Sequence, residues 1–172
     1  MGKLDGKVAV ITGGGTGIGK AIGKALAEEG CDVVLAARNA VRLDESAAEI
    51  AAMGVRTLAV PTDVAEESDV IALFERAMAE FGRVDLLVNN AGVIDGGPID
   101  ELTLEKWRAT FSVNVDGLMM CTREAFKIMK AQAGGRIINI GSVASDRPRE
   151  WSAPYTSSKH AVTGLTKSTA LD

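Results

Sequence analysis

A glycine-rich turn between a short apolar run and a helical segment is the feature that most restricts how this chain can fold. Residues 7–12 form a β-branched run that predicts a buried strand, and the run stops at Gly13-Gly14-Gly15. Over residues 17–29 the apolar side chains recur at helical spacing, and Gly30 follows as a C-terminal stop. The sequence therefore predicts a strand, a glycine turn and a helix in immediate succession.

The same alternation of strand and helix continues along the chain. A long helix is predicted from about Thr103, whose hydroxyl can cap it, to Gly134, with an irregularity near Asn114. Apolar strands that alternate with helices predict an α/β fold, a doubly wound parallel sheet in one domain over residues 1–172. The further strands are predicted at 32–37, 56–60, 86–89 and 136–140, and the further helices at 42–53, 66–81 and 155–171.

Charge and cysteine content exclude several classes of protein. The 19 Lys and Arg residues face 23 Asp and Glu residues, a net charge of −4, so no basic surface is expected for nucleic acid or a membrane. Cys31 and Cys121 belong to no Cys/His cluster, which argues against a metal site and favours a reducing compartment. No apolar run has the length of a signal peptide, and we expect a cytoplasmic protein.

The glycine turn has the chemistry of a phosphate site. Backbone N–H groups and the helix dipole at the start of a helix favour a pyrophosphate, and glycines let the ligand approach. The spacing is GxxxGxG rather than GxGxxG, and an ordinary flexible turn remains an alternative. A P-loop is disfavoured because Ala21 stands where a magnesium-binding hydroxyl is needed. The candidate cofactor contacts in the turn are Gly13, Gly15, Thr16, Gly17, Ile18 and Gly19.

The end of the second strand indicates which dinucleotide the turn would hold. A carboxylate is expected there if the ligand is NAD, because it binds the ribose 2′-hydroxyl. Here Ala37 and Arg38 occupy that place, and a guanidinium can pair with a 2′-phosphate. NADP is therefore favoured over NAD, with a merely solvated Arg38 as the alternative.

A tyrosine and a lysine share one face of the last predicted helix. Tyr155 is the only tyrosine in the chain, and Lys159 follows it at the i, i+4 spacing. A nearby ammonium favours the ionised form of a phenol, which makes it a usable acid or base. Ser142 follows the fifth predicted strand, where its hydroxyl can reach the same cleft. By themselves, a tyrosine and a lysine at this spacing on an exposed helix face are usually ordinary surface residues.

Together these motifs resemble the short-chain dehydrogenase/reductase family, in order and spacing, from end to end of the chain. The resemblance implies a three-layer Rossmann fold in which Tyr155 transfers a proton and Ser142 binds the substrate oxygen. It also implies that Lys159 lowers the pKa of Tyr155 and binds the nicotinamide ribose. The matching pieces are Thr12-Gly13-xxx-Gly17-x-Gly19, Asp63-Val64, Asn89-Asn90-Ala91-Gly92, Asn114, Ser142 and Tyr155-xxx-Lys159.

The remaining motif residues receive their roles from the same resemblance. Asn114 would anchor a water that links Lys159 to solvent, and Asp63 would contact the adenine beside Val64. Asn90, Ala91 and Gly92 would line the cofactor cleft. From the residues alone, Asn89 and Asn90 could form a turn, Asn114 could kink a helix, and Asp63 could cap the next helix. The long helix and the last helix would form the interface of a homo-oligomer, a dimer or a tetramer.

The hypothesis that follows is reversible hydride transfer between a nicotinamide cofactor and a carbonyl or alcohol carbon, without a metal. The alternative is a nucleotide-binding or scaffold fragment without turnover, because family members continue past Asp172 with further strands and a substrate lid. A serine hydrolase is disfavoured, since Ser142 lies in no GxSxG elbow and His160 is poorly placed to serve it. The small-molecule substrate stays open, with Ile94, Asp95 and the 143–154 loop expected at the pocket edge.

Overall fold

A parallel β-sheet forms the centre of the molecule in the computed structural model, which describes residues 2–172. All neighbouring strands are parallel, and their order across the sheet is β3-β2-β1-β4-β5. This arrangement confirms the predicted doubly wound α/β fold and places the carboxyl ends of all strands at one edge. Within the described residues the strands are β1 (Val8–Thr12), β2 (Asp32–Ala37), β3 (Thr57–Pro61), β4 (Leu86–Asn89) and β5 (Arg136–Asn139).

Helices connect successive strands and cover the sheet. The predicted long helix is present, and its irregularity near Asn114 is a π-helical turn over Ser112–Gly117. No helix within the described part of the chain is both long enough and apolar enough to cross a membrane. The helices are α1 (Gly17–Glu28), α2 (Ala40–Ala51), α3 (Glu67–Phe81), α4 (Leu104–Phe111), α5 (Leu118–Ala131) and α6 (Ala153–Thr169).

Two helices begin earlier than the sequence pattern predicts. The side chain of Asn39 accepts a hydrogen bond from the Arg42 amide at 3.0 Å, so α2 begins at Ala40 rather than near residue 42. Helix α6 begins two residues before Tyr155, with Pro154 in its first turn. Proline is tolerated there because the first N–H groups of a helix have no partner within it.

Apolar side chains pack on both faces of the sheet. Val10 and Val34 face α3 and α5, whereas Ile11 and Leu35 face α1 and α2. All five residues of β1 are buried, as expected for the middle strand of a sheet that is covered on both sides. The core is therefore built around β1, whose carboxyl end leads into the glycine turn.

Asp85 joins β1 to the start of β4 at the opposite edge of the sheet. Its carboxylate is buried and accepts hydrogen bonds from the Val8 amide at 3.0 Å, from Lys7 Nζ at 3.1 Å and from Arg83 Nη2 at 2.6 Å. Burial by itself raises the pKa of Asp85, but the bonds from Arg83, Val8 and Lys7 outweigh it, and the pKa is lowered. The ionised form is thus the one that holds these strands together.

We expect Asp85→Asn to lower the free energy of unfolding at pH 7 by about 2 kcal/mol, because a buried charged acceptor is lost. A carboxyl whose pKa is lower in the folded protein stabilises it above the unfolded pKa, near 4, and loses that effect at lower pH. The difference between the variant and the wild type should therefore shrink at pH 3, as measured by urea unfolding. Asp44→Asn, at an exposed position of α2, is the control. An equal difference at both pH values would contradict the assignment.

Candidate active site

The glycine turn is tied to the end of β4 by Thr12 and Asn90. Asn90 Nδ2 donates to the carbonyl oxygens of Thr12 at 3.0 Å and Gly13 at 3.2 Å. In return, Thr12 Oγ1 accepts hydrogen bonds from the backbone amides of Asn90 at 3.1 Å and Ala91 at 3.0 Å. These contacts bring two motifs that are far apart in the sequence to one site. Asn90 therefore shapes the turn, and it is not an isolated turn residue.

Three glycines of the turn stand where a side chain would not fit or would enter ligand space. A Cβ at Gly19 would overlap the carbonyl oxygen of Gly13, and one at Gly13 would lie 2.7 Å from Asn90 Nδ2. Gly13 and Gly17 have positive φ values of 67° and 54°. Next to Gly17 the space is open, and no side chain caps the start of α1. An open, uncapped helix start fits an anionic group such as a pyrophosphate.

A cavity of about 140 Å³ continues from the turn across the ends of β2 and β3. Arg38, Asp63 and Val64 line one side of it, and Ala91 and Gly92 line the other. Arg38 Nη1 lies 3.9 Å from Asp63 Oδ2, and the Arg38 side chain is 70% exposed. The structure therefore places these five predicted cofactor residues around one cavity.

Asp63 does not cap the helix that follows it, so that alternative is wrong. Its Oδ1 accepts from the Ala65 amide at 3.0 Å, and its own amide donates to Asp69 Oδ2 at 2.9 Å. The residue at the N-cap position of α3 is Glu66, whose side chain makes no capping bond. The second carboxylate oxygen of Asp63 is left facing Arg38.

Tyr155 and Lys159 lie on the first turns of α6, as the sequence predicts. Lys159 Nζ donates to the Ile140 carbonyl oxygen at 2.7 Å and lies 5.9 Å from the centre of the Tyr155 ring. The Lys159 side chain is buried, and this burial lowers its pKa. Because Ile140 follows β5, this bond fixes the helix to the same edge of the sheet as the glycine turn.

Ser142 lies at this edge too, two residues after Ile140. It is half-buried, and its Oγ accepts from the Ala144 amide at 3.1 Å, which starts a short 3₁₀ turn over Val143–Ser145. The acceptor role leaves the Ser142 hydroxyl proton available. Ser142 and the hydrogen bond of Lys159 thus both lie at the end of β5, and Tyr155 precedes Lys159 by one turn of α6.

Asn114 connects α6 to the loop after β4. Its Oδ1 accepts from the Val93 amide at 2.8 Å, and its Nδ2 donates to the Val93 carbonyl at 2.9 Å and to Ser158 Oγ at 3.0 Å. Both side-chain N–H bonds are therefore used within the protein. The water that the resemblance implies at Asn114 would have to be held by an oxygen of this residue.

Ser158, a residue of α6 that contacts Asn114, belongs to this site and was not singled out from the sequence. Its Oγ accepts from Asn114 and donates to the Tyr155 carbonyl at 2.7 Å, and the side chain is fully buried. The signal that could have identified it is a serine three residues after Tyr155 on the buried side of α6. A buried hydroxyl needs hydrogen-bond partners, so such a serine indicates a polar neighbour.

Asn89 is a structural residue and not part of a turn. Its Nδ2 donates to Thr122 Oγ1 at 3.0 Å and to Asn139 Oδ1 at 2.8 Å, and Asn139 Nδ2 donates to Thr166 Oγ1 at 2.8 Å. This row of amides joins β4 and β5 to α5 and α6. Asn139 and Thr166 were not singled out from the sequence, because only the pairing of β4 with β5 brings them together.

Two rival chemistries find no support in these side-chain positions. Lys20 Nζ is paired with Glu49 Oε1 at 2.6 Å, away from the turn that a P-loop lysine would serve. His160 is exposed and its Nδ1 contacts the Thr156 carbonyl oxygen at 2.9 Å, so it does not serve Ser142. The site lacks both the phosphate-binding lysine of a P-loop and the paired base of a serine hydrolase.

Comparison with known proteins identifies relatives over almost the whole chain. The family profile described as short chain dehydrogenase matches residues 7–172. A short chain dehydrogenase/reductase of Aspergillus oryzae is 39% identical over 172 residues, which cover 98% of this chain and 66% of that protein. A 3-oxoacyl-[acyl-carrier-protein] reductase of Synechocystis is 39% identical over 173 residues, which cover 100% of this chain and 70% of that protein.

Solved structures agree with these sequence matches. The crystal structure of an NAD⁺-bound xylitol dehydrogenase superposes with a TM-score of 0.96 at 33% identity, covering 99% of this chain and 66% of that one. A short-chain type dehydrogenase/reductase from Mycobacterium marinum gives a TM-score of 0.94 at 34% identity. The chain therefore spans about two thirds of the length of several of the proteins it matches.

Proposed function

The chain belongs to the short-chain dehydrogenase/reductase family, and we propose that the protein transfers hydride between a nicotinamide cofactor and a carbonyl or alcohol carbon. The observation that carries this proposal is that Lys159, one helical turn after Tyr155, binds the Ile140 carbonyl at the end of β5, two residues before Ser142 and at the same edge of the sheet as the glycine turn. This arrangement argues against a nucleotide-binding scaffold without turnover, because such a protein has no need of the three groups at one edge.

We assign the proton transfer to Tyr155. Its hydroxyl would give a proton to the substrate oxygen during reduction and take it back during oxidation. Ser142, with its hydroxyl proton free to turn outward, would donate a hydrogen bond to the same oxygen and orient it. When bound, the cofactor supplies or accepts the hydride.

Lys159 would bind the nicotinamide ribose. One of its three N–H bonds is directed to the Ile140 carbonyl, and two remain for the ribose hydroxyls or for Tyr155. Ser158 binds the Tyr155 carbonyl, and Asn114 binds both Ser158 and the loop after β4. These bonds would fix the position of the first turn of α6 relative to the sheet. This support would fix the distance between Tyr155 and the cofactor cleft.

The glycine turn and the adjacent cavity would hold the rest of the cofactor. The uncapped start of α1 near Gly17 suits the pyrophosphate, and the cavity beside Asp63 and Val64 suits the adenine. Arg38 stands at the end of β2, without a carboxylate beside it on that strand, and would pair with a 2′-phosphate. We therefore propose NADP as the preferred cofactor.

A screen of carbonyl compounds with NADPH and NADH, and of alcohols with NADP⁺ and NAD⁺, tests the proposed function. Nicotinamide absorbance at constant protein concentration reports turnover directly. Turnover that depends on both the organic substrate and the cofactor is the expected result. Tight cofactor binding with no turnover of any carbonyl or alcohol would overturn the proposal.

We expect Arg38→Ala to lower the ratio of kcat/KM with NADPH to kcat/KM with NADH by about tenfold to a hundredfold. The physical reason is the loss of charge-assisted hydrogen bonds to the 2′-phosphate, each worth about 1.5–3 kcal/mol. Arg76→Ala, on the exposed side of α3, is the matched control and should leave the ratio unchanged. A wild-type preference for NADH that Arg38→Ala does not alter would show that Arg38 is merely solvated.

Two further properties complete the proposal. A groove of about 340 Å³ between α5 and α6, lined by Met119, Phe126 and Leu165, supports homo-oligomer formation through these helices.

A cytoplasmic location is supported by Cys31 and Cys121, which are free and buried. Burial is the main cause that raises the pKa of both thiols to about 12, so neither is expected to be reactive.

A further inference from the structure

The loops after β4 and β5 expose four large apolar side chains close to the proposed catalytic groups. Val143 directly follows Ser142, and Trp151 precedes Tyr155 by four residues. Such exposure is costly for side chains of this size, and clusters of them mark binding surfaces. The four residues, which we call the apolar wall, are Ile94 (79% exposed), Ile99 (73%), Val143 (71%) and Trp151 (67%).

Backbone contacts join the two loops into one surface. The Gly97 amide donates to the Trp151 carbonyl oxygen at 2.9 Å, and Gly96 packs so closely on that carbonyl that a side chain there would overlap it. A cavity of about 520 Å³ opens between the loops, with Ile99 and Trp151 in its lining. The side chain of Asn114 binds both the amide and the carbonyl of Val93. Ile94, the next residue, therefore lies close to the Asn114 side chain. Val143 is adjacent to Ser142 and Trp151 lies four residues before Tyr155, so two residues of the apolar wall are close to the proposed catalytic groups along the chain.

Polar groups in these loops are satisfied by the loops themselves. Asp95 Oδ1 accepts from the Gly96 amide at 2.7 Å, so this carboxylate is turned back on its own backbone. The Ser152 hydroxyl donates to the Arg149 carbonyl at 2.6 Å and lies 2.9 Å from Thr156 Oγ1. These hydroxyl and carboxylate groups are poorly placed to recognise a substrate rich in hydroxyl groups.

The formal charges of the second loop cancel as well. Residues 143–152 contain two positive side chains, Arg147 and Arg149, and two negative ones, Asp146 and Glu150, so this loop has no net attraction for an anion. Arg147 Nε lies 4.0 Å from Asp146 Oδ2, and both side chains are about nine-tenths exposed. The internally bonded polar groups and the balanced charges of this surface therefore favour neither a polyol nor a strongly anionic compound.

We infer that the substrate is a neutral carbonyl or alcohol with an apolar body, aliphatic or aromatic, and that Trp151 and Ile94 bind that body. This inference rests on the proposed hydride-transfer function and concerns the same site. The reacting carbon would lie at Ser142 and Tyr155, and the apolar body would cover the exposed wall. Burial of apolar surface on both partners drives such binding, and it discriminates against hydroxylated analogues of the same length.

Tryptophan fluorescence tests the inference without turnover. The protein with NADP⁺ is titrated with 2-octanone or with dihydroxyacetone; ketone and cofactor are both oxidised, so no hydride moves. Trp107 is stacked on Phe111, and a Trp107→Phe variant isolates the emission of Trp151. 2-Octanone should shift this emission to shorter wavelength, and dihydroxyacetone should not. An equal shift with both compounds, or none with 2-octanone, overturns the inference.

Kinetic selectivity provides the second test. Trp151→Ser and Ile94→Ser should each lower the ratio of kcat/KM for 2-octanone to kcat/KM for dihydroxyacetone by about tenfold. Ile71→Ser, on the outer side of α3, is the matched control and should leave the ratio unchanged. A wild-type preference for dihydroxyacetone overturns the inference alone. Absence of turnover with every carbonyl overturns the proposed function instead, and the fluorescence shift still decides whether the apolar wall binds such compounds.

Discussion

Tyr155→Phe is expected to lower kcat by about a thousandfold, while the Kd for NADP⁺ stays within about twofold. The variant keeps the ring and its packing and removes only the hydroxyl that would exchange a proton with the substrate oxygen. Lys159 remains bonded to the Ile140 carbonyl, so the nicotinamide ribose should keep its partner. Steady-state kinetics and cofactor titration on the same preparation measure the two effects.

A control for this variant is available on the same helix. His160 is exposed and its Nδ1 contacts the Thr156 carbonyl of its own helix, so His160→Ala should leave kcat unchanged. If Tyr155→Phe kept a tenth or more of the wild-type kcat, the proton would have to come from another group. Loss of cofactor binding in the same variant would instead mean that the hydroxyl has a binding role.

The second large effect is expected from Gly19→Ala, which should weaken NADP⁺ binding by at least about tenfold and destabilise the fold by about 1–3 kcal/mol. The added Cβ would overlap the Gly13 carbonyl oxygen and lie 2.6 Å from Asn90 Nδ2. Both are parts of the network that holds the glycine turn, and neither is the free end of a flexible side chain. Helix α1 would have to move away from the turn, and its first amides would no longer point toward the pyrophosphate.

Gly164→Ala is the matched control for that substitution. Gly164 is also inside a helix, but a Cβ there meets no atom within 4 Å. Alanine should therefore leave cofactor binding unchanged and stabilise α6 by about 0.5–1 kcal/mol. Thermal unfolding and cofactor titration of both variants give the comparison. Wild-type affinity in Gly19→Ala would show that the turn is not a close-packed cofactor cradle.

Strands and helices were predictable because their signals are local. The β-branched run before Gly13 and the helical spacing after Gly17 gave β1 and α1 with bounds within one residue of those observed. Helix starts were less accurate where a side chain decides them, as Asn39 does for α2. Such a cap depends on one hydrogen bond, and hydrophobic periodicity does not report it.

Functional residue types were predictable at the strand ends, but their partners were not. Asp63 could be named from the family resemblance, yet its pairing with Arg38 and not with the next helix required the structure. The position of Ser158 on α6 could have marked it as a buried hydroxyl that needs a partner. Its bond to Asn114, 44 residues earlier, is a contact that no local pattern encodes.

The sequence by itself determined the order of the elements, the parallel sheet and the residue types that stand at its carboxyl edge. Hydrophobic period, glycine positions and spacing along one helix are properties of neighbouring residues, and they survive without tertiary contacts. Only the tertiary structure decided that Asn90 shapes the glycine turn, that Asn114 and Ser158 support Tyr155, and that Gly97 joins the loop after β4 to Trp151. Each of these depends on which strand lies beside which, because the winding of the sheet brings together residues that the sequence separates.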